Sequence, residues 1–261
     1  MTNKSIEGVT STLTVTTSGP IATVTLSRTE VLNALNHEQR ANLEAAFKAL
    51  DANAEVRVIV LAGAGRAFCA GQDQRESAAM DAHGAARRIE GYASLYRTMR
   101  RVAKPLIARI QGYAAGAGLQ LALMSDLRIA GPAAKLGMTE LNVGSAAIMG
   151  SAFLVPVIGE SAMRRLVLLS EFIDAAHALD IGLVHELMPD ETALDARIAQ
   201  IADGLASRPP LGIALSKEWW RVMGDAQFEA AMEHARSAHA KNYATGGLTN
   251  AAQKFIAGAR S

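Results

Sequence analysis

The stretch Ile110 to Asp126, IQGYAAGAGLQLALMSD, constrains the fold of this chain more than any other. An apolar run, Leu106 to Ile110, leads into Gln111-Gly112 and a segment rich in glycine and alanine. Leu119, Leu121, Ala122, Leu123 and Met124 then continue as the pattern of a buried helix. The whole reads as a strand, a tight Gly-rich turn and a helix N-terminus. The first N–H groups of a helix have no intrahelical partner and sit at the positive end of its dipole. With Gly116, Ala117 and Gly118 at that point, an anionic ligand atom can approach them unhindered. The stretch is therefore read as half of an oxyanion site whose other half lies elsewhere in the chain.

The bulk composition narrows the field. At 261 residues the chain has room for one large domain, or for a core plus an appendage. Twenty-six basic residues against 25 acidic ones create no field for nucleic acid or an anionic membrane. A single cysteine, Cys69, excludes an internal disulfide and suits a reducing cytosol. The polar start MTNKSIEG has no signal-type apolar stretch, and no later run is uniform enough to span a bilayer, so a soluble, cytoplasmic protein is expected.

Before the central stretch, Thr12 to Thr16 and Ile21 to Leu26 alternate as two short strands around Ser18-Gly19-Pro20. Asn36 followed by Gln39 fits a capping box, and Leu43, Ala46, Phe47 and Leu50 share one face, predicting a helix from Asn36 to Leu50. Val56 to Leu61 is an almost continuous apolar run, broken only by Arg57, as in a strand buried on both faces. Its sequel, GAGRAFCAGQDQRE, fails as a dinucleotide fingerprint because the third glycine would fall at Phe68, and no Walker lysine follows. Asp73 with Glu76 instead predicts an N-cap and N3, which puts Gln72 between a Gly-rich loop and a helix start.

From Ser77 to Arg101 the spacing predicts a mobile first part and a helix after Arg88. Its arginines, Arg87, Arg88, Arg97, Arg100 and Arg101, read as a solvated face, with contact to ligand phosphates as the other reading. After the central stretch, Leu127 to Ala130 reads as a strand, and the segment from Phe153 to Leu187 gives two helices and a strand-like Leu183-Val184. Pro209-Pro210 opens a helical tail.

Four ordered segments carry a family resemblance: LSRTEVLNALN, VRVIVLAGAGRAFCAGQD, KPLIARIQGYAAGAGLQLALMSDLRIA and DAAHALDIGLVHEL. Together they resemble the enoyl-CoA hydratase/isomerase (crotonase) family from about Thr12 to Leu187. The resemblance implies an α/β fold, a spiral of ββα turns over residues 1–200 with a C-terminal helical trimerisation region at 201–261. It further implies a homotrimer or a dimer of trimers. The implied chemistry is a thioester enolate formed on a coenzyme A substrate, with no tightly bound cofactor and no metal. Two backbone N–H groups hold the thioester oxygen in this family, and by position they belong to Gln72 and Ala117.

The hydratases of the family hold a water between two glutamates. Here the matching positions are Gln120 and Glu140, so one carboxylate faces an amide, which cannot take a proton at neutral pH. Eight residues beyond Glu140, where hydratases carry a Pro-Gly turn beside the water, the chain has Ala147-Ile148-Met149. These departures favour Δ3,Δ2-enoyl-CoA isomerisation with Glu140 as sole acid/base, its pKa raised by apolar Leu141, Ile148 and Met149. The alternatives are enoyl-CoA hydration by a degenerate Gln120/Glu140 pair, another reaction of the same enolate, and a non-catalytic homologue that binds acyl-CoA. An RNA-binding role is disfavoured by the balanced charge.

For each site residue a plainer reading stands beside the catalytic one. Glu140 could be a capping or ion-paired carboxylate, and Gln120 a satisfied buried amide. Cys69 reads as a small buried thiol. None of His37, His83, His177, His185, His234 and His239 has metal-type spacing, and each is expected at the surface or at a cap. The resemblance places Ala70, Gln72 and Asp73 along the adenine and pantetheine, and Arg75 near the phosphates. Phe255 matches a residue that reaches a neighbouring subunit's nucleotide, whereas the lysine that accompanies it in relatives is replaced by Gly258.

Overall fold

The computed structural model describes residues 12–258. Its larger sheet has the order β1 (Leu13–Ser18), β2 (Ile21–Leu26), β3 (Val58–Gly63), β5 (Leu106–Ile110), β7 (Leu127–Ala130) and β10 (Glu186–Leu187). β1 and β2 form an antiparallel hairpin, and every other pairing in that sheet is parallel. The smaller sheet runs β4 (Ala67–Cys69), β6 (Tyr113–Ala115), β8 (Lys135–Gly137) and β9 (Ile173–Asp174). Successive pairs β3-β4, β5-β6 and β7-β8 each place one strand in each sheet, which is the expected spiral of ββα turns.

Nine α-helices lie among the described residues: α1 (His37–Ala52), α2 (Gln74–Ala78), α3 (Ala82–Arg101), α4 (Ala117–Leu123), α5 (Ile148–Leu169), α6 (Ala175–Asp180), α7 (Glu191–Ala206), α8 (Pro210–Ala244) and α9 (Gly247–Gly258). None of them is long and apolar enough to cross a membrane.

The apolar run of β3 has a direct structural cause. Ile59 and Leu61 join the main core with Leu43, Phe47 and Tyr96, while Val58 and Val60 join Ile107, Ile129, Leu194 and Ile198 beneath α7. A strand covered on both faces has no side left for polar residues. At α1 the Asn36 side chain accepts from the Gln39 N–H at 2.8 Å, whereas Gln39 Nε2 bonds the Thr12 carbonyl rather than closing the box. The link between β2 and α1 is pinned by buried Asn33, whose Nδ2 donates to the carbonyls of Ala64 and Ala67 at 2.9 and 2.8 Å. That fixes the Gly-rich loop before β4.

Three expectations need correction. α3 begins at Ala82, before Arg88, because Asp81 caps it by accepting the Gly84 N–H at 2.6 Å. Leu183 and Val184 are buried but irregular, and the strand falls at Glu186–Leu187. Arg88 does not lie on a solvated face but is buried between α2, α3 and α8. The 200/201 division falls inside the continuous helix α7, and the chain turns at Pro209-Pro210 into α8, which packs along α3.

Candidate active site

A cavity of about 1120 Å³ opens where the two Gly-rich loops meet. Its first wall is the loop before α2. Leu35 and Gln72 form a parallel bridge in which the Leu35 N–H donates to Gly71 O and the Asp73 N–H donates to Leu35 O. In that pattern the N–H of Gln72 itself points away from Leu35. The Gln72 side chain is tied down too: Tyr92 Oη donates to its Oε1 at 2.6 Å, and its Nε2 donates to Glu76 Oε2 at 2.6 Å. Glu76 is held in turn by Arg40 through two bonds of 2.9 Å. Burial pushes the Glu76 carboxyl up, but the Arg40 guanidinium outweighs it and holds the group below the usual carboxylate range.

The second wall is the start of α4, docked against the first by close backbone approach. Gly71 has φ +93°, and a β-carbon there would stand 2.6 Å from Ala115 O and 3.5 Å from Ala117 N. A β-carbon on Gly118 would lie 2.1 Å from Cys69 O. Only glycine permits this contact, and it brings the N–H of Ala117, the first residue of α4, beside the Gly71-Gln72 segment.

Glu140 opens a short 3₁₀ helix, Glu140–Val143, and its carboxylate lies against Gly116, where a β-carbon would be 3.4 Å from Oε1. Gln120, buried on α4, donates from Nε2 to Glu140 Oε1 at 3.0 Å and accepts from Tyr96 Oη at 3.1 Å. Burial keeps the Tyr96 phenol protonated, with its pKa well above the ordinary value, so it acts as donor and fixes which end of the amide faces Glu140. Glu140 Oε2 is enclosed and has no partner among the described residues. Burial raises the Glu140 pKa to about 7, against the smaller opposing pull of hydrogen bonds from its own backbone and from Gln120. Ile148 and Met149 line the cavity. Leu141 does not line it and is 39 % exposed, because its 3₁₀ turn directs it outward.

The remaining expected residues fall around the mouth. Ala70 and Arg75 line it, and Arg75 is exposed. Asp73 lines it as well, but its carboxylate is engaged, capping α2 through the Arg75 N–H at 3.0 Å and pairing with Arg28 at 2.9 Å. The Phe255 side chain lies outside the described residues. Cys69 is fully buried and its thiol is pushed up to about 12 by burial, which makes it an inert packing group. Among the described residues no three His, Cys, Asp or Glu side chains converge where a metal ion could sit.

Among the lining residues that the sequence did not mark for the site are exposed Arg66 and buried His239, and Arg88, read first as part of a solvated face, lines the cavity as well. His239 corrects the expectation of a surface histidine, since it is 6 % exposed and α8 turns it inward. Its spacing of four from Tyr243 was the available signal, because both fall on one helical face.

Comparison with known proteins adds to this geometry. A sequence model described as enoyl-CoA hydratase/isomerase matches residues 16–256. The (E)-benzylidenesuccinyl-CoA hydratase of Thauera aromatica is 36 % identical over 208 residues, covering 79 % of this chain and 80 % of its own. The 1,2-epoxyphenylacetyl-CoA isomerase of Escherichia coli K12 is 35 % identical over 204 residues, 76 % and 77 % of the two chains. A crystal structure of an enoyl-CoA hydratase/isomerase from Mycobacterium paratuberculosis superposes with a TM-score of 0.87 over 95 % of this chain and 99 % of that one, at 24 % identity, a likeness of fold.

Proposed function

The chain belongs to the enoyl-CoA hydratase/isomerase family, and from that premise we propose that it moves the double bond of an acyl-CoA thioester from the 3 to the 2 position, with Glu140 carrying the proton. One observation carries this reading: a single carboxylate, Glu140, faces the amide of Gln120 at 3.0 Å, while its other oxygen, Oε2, is buried without a partner.

In the proposed reaction the Glu140 carboxylate takes a proton from C2. The C–H bonding pair moves into the thioester, and the enolate oxygen is held by the N–H groups of Gln72 and Ala117. Such preorganised donors are worth on the order of 3 kcal/mol each. The same carboxyl, now protonated, returns its proton at C4 as the double bond settles between C2 and C3. A pKa of about 7 suits a group that must both take and return a proton. Gln120 orients Glu140 and leaves it as the only proton carrier. Arg66 and Arg75 at the mouth offer cations to the coenzyme A phosphates, and the thioester is substrate rather than a resident cofactor.

A second reading, water addition, draws support from relatives named hydratases, with Gln120 holding a water that Glu140 deprotonates. Matched trans-3-enoyl-CoA and trans-2-enoyl-CoA thioesters of several chain lengths decide between the two, with products resolved by mass. Isomerisation gives a 2-enoyl product of unchanged mass that is lost in Glu140→Gln. Gain of water on the 2-enoyl substrate would replace isomerase by hydratase. No conversion of either series would leave the acyl-CoA-binding homologue.

We propose a homotrimer or a dimer of trimers as the assembly. The exposed tryptophans of α8 support it. A cytoplasmic location is proposed on the single free thiol of Cys69.

A further inference from the structure

The deep end of the cavity, formed where α8 covers α3, carries polar groups that the enolate chemistry does not use. Arg88 is 7 % exposed and lines the cavity. Its Nη1 donates to Ser77 Oγ at 3.1 Å and to Tyr243 Oη at 2.9 Å, and its guanidinium carbon stands 5.1 Å from the Tyr243 ring centroid. Among the described residues only Nη1 of Arg88 has hydrogen-bond partners, and no carboxylate lies within ion-pair distance of the guanidinium. The acid nearest in influence, Glu76, is engaged by both nitrogens of the Arg40 fork and by Gln72. Two buried guanidiniums thus share one carboxylate, and one positive charge remains uncompensated. A resident anion in the cavity would offset that charge.

His239 supplies an independent pointer. It lies one turn before Tyr243 on α8, lines the same cavity, and its Nδ1 is buried with no partner. Burial, and then the charge of Arg88, pull its pKa down to about 4, so the ring is neutral, and in the tautomer protonated at Nδ1 it donates a hydrogen bond into the cavity without adding charge. An aliphatic chain end would leave the Arg88 fork and His239 Nδ1 unsatisfied. A carboxylate matches them, because the planar fork of Arg suits two carboxylate oxygens.

We infer that the acyl group carries a carboxylate at its far end, received by Arg88 together with His239 and Tyr243, so that the substrate is the thioester of a dicarboxylic acid. This rests on the acyl-CoA reading above. Coenzyme A phosphates are the competing anion for Arg88, and the two make different demands. A phosphate contact strengthens every coenzyme A ligand equally, whereas a contact to the acyl end separates carboxylated chains from plain ones.

The test is equilibrium binding by calorimetry to the full chain, which needs no turnover. Saturated pairs of equal carbon count serve as probes, namely succinyl- and butyryl-CoA, adipoyl- and hexanoyl-CoA, and suberoyl- and octanoyl-CoA, with free coenzyme A alongside. In at least one pair the dicarboxylyl thioester should bind tenfold or more tightly than its partner. That ratio should fall to near one in Arg88→Met and persist in part in Arg88→Lys, and His239→Gln should reduce it several-fold. Equal affinities in every pair for the unaltered protein overturn the inference, even if Arg88→Met fails to fold. Equal weakening of coenzyme A and all thioesters in a folded Arg88→Met reassigns Arg88 to the phosphates and overturns it as well. If no thioester binds at all, the acyl-CoA reading falls first and this one with it.

Discussion

At the scale of the residue, Glu140 is held in a state that favours chemistry over stability. Its folded pKa of about 7 lies above the ordinary carboxylate value of 4.5, and the cause is burial. An acid with a raised folded pKa contributes stability that is fully present below its unfolded pKa and is lost as the pH climbs through the folded one. Glu140→Gln lacks that titration. Between pH 4.5 and 7 the variant should therefore gain on the wild type by on the order of 3 kcal/mol. Urea unfolding at pH 5 and pH 8 measures this, and a difference that does not change with pH would contradict it. Activity moves the other way: kcat/KM of the wild type rises as pH increases through about 7 and then levels off, while the variant loses roughly 10²- to 10⁴-fold, the usual worth of a general base. The reciprocal change, Gln120→Glu, sets a second carboxyl where an amide now stands 3.0 Å from Glu140. Two like charges there cannot both ionise easily, so the pair must titrate jointly with one pKa raised further. One protonated and one ionised carboxyl is the arrangement that water addition needs. Formation of 3-hydroxyacyl-CoA should accordingly increase at least tenfold over the unaltered protein, and an unchanged rate would show that the Ile148 and Met149 wall, not Gln120, excludes water.

At the scale of the element, the two Gly-rich loops are held together by backbone packing rather than by side chains, and that is why they were legible. Glycine at positions 71 and 118 is a local statement about space, and the structure shows Ala115 O and Cys69 O where a β-carbon would fall. Gly118→Ala should force α4 away from β4, destabilise the fold by roughly 3 kcal/mol or more, and misplace the Ala117 N–H. Thermal unfolding and kcat should both fall, and a variant with wild-type turnover would exclude that N–H as a donor. Glu140 and Gln120 were marked by the family resemblance, which matches them to the positions of the hydratase glutamate pair. Arg88 and His239 were illegible for the opposite reason. Arg88 sits in a helix whose arginines look solvated, and its burial comes from Tyr243, 155 residues later, on a helix that the sequence showed only as a tail. The start of α3 was missed because the cap at Asp81 precedes a segment with weak apolar periodicity, and packing against α1 and α8 decides where it begins. Leu183 and Val184 were read as strand-like from their apolar side chains, but they are buried as the ends of a turn, with the Leu183 and Val184 N–H groups both bonded to Ala178 O.

At the scale of the whole molecule, an apolar face of α8 is left without a covering partner among the described residues. Leu211, Leu215, Trp219, Val222 and Met223 follow one another at spacings of four, four, three and one along α8, so they form a stripe, with Trp220 beside it. Trp219 is 60 % exposed and Trp220 57 %. Isolated exposed apolar residues are ordinary, but a continuous helical stripe with two tryptophans is the composition of an interface. The opposite face of α8 is committed to the same chain, through Phe228, Met232 and Ala235 in the main core and the Arg100–Asp225 pair at 2.7 Å. The helix therefore connects the subunit surface to the roof of the cavity, where His239 and Tyr243 lie about three and about four turns beyond Phe228. Native mass spectrometry should report three copies or a multiple of three. Replacing both Trp219 and Trp220 with glutamate should shift the population toward monomer, because assembly would desolvate two unpaired carboxylates per subunit. If assembly steadies α8, the monomeric variant should also bind acyl-CoA more weakly while keeping the pH dependence of Glu140 unchanged, since that carboxylate is buried by Gln120 and the two loops within one chain. A variant that remains assembled would move the interface to another apolar surface, such as Leu168, Leu169 and Phe172.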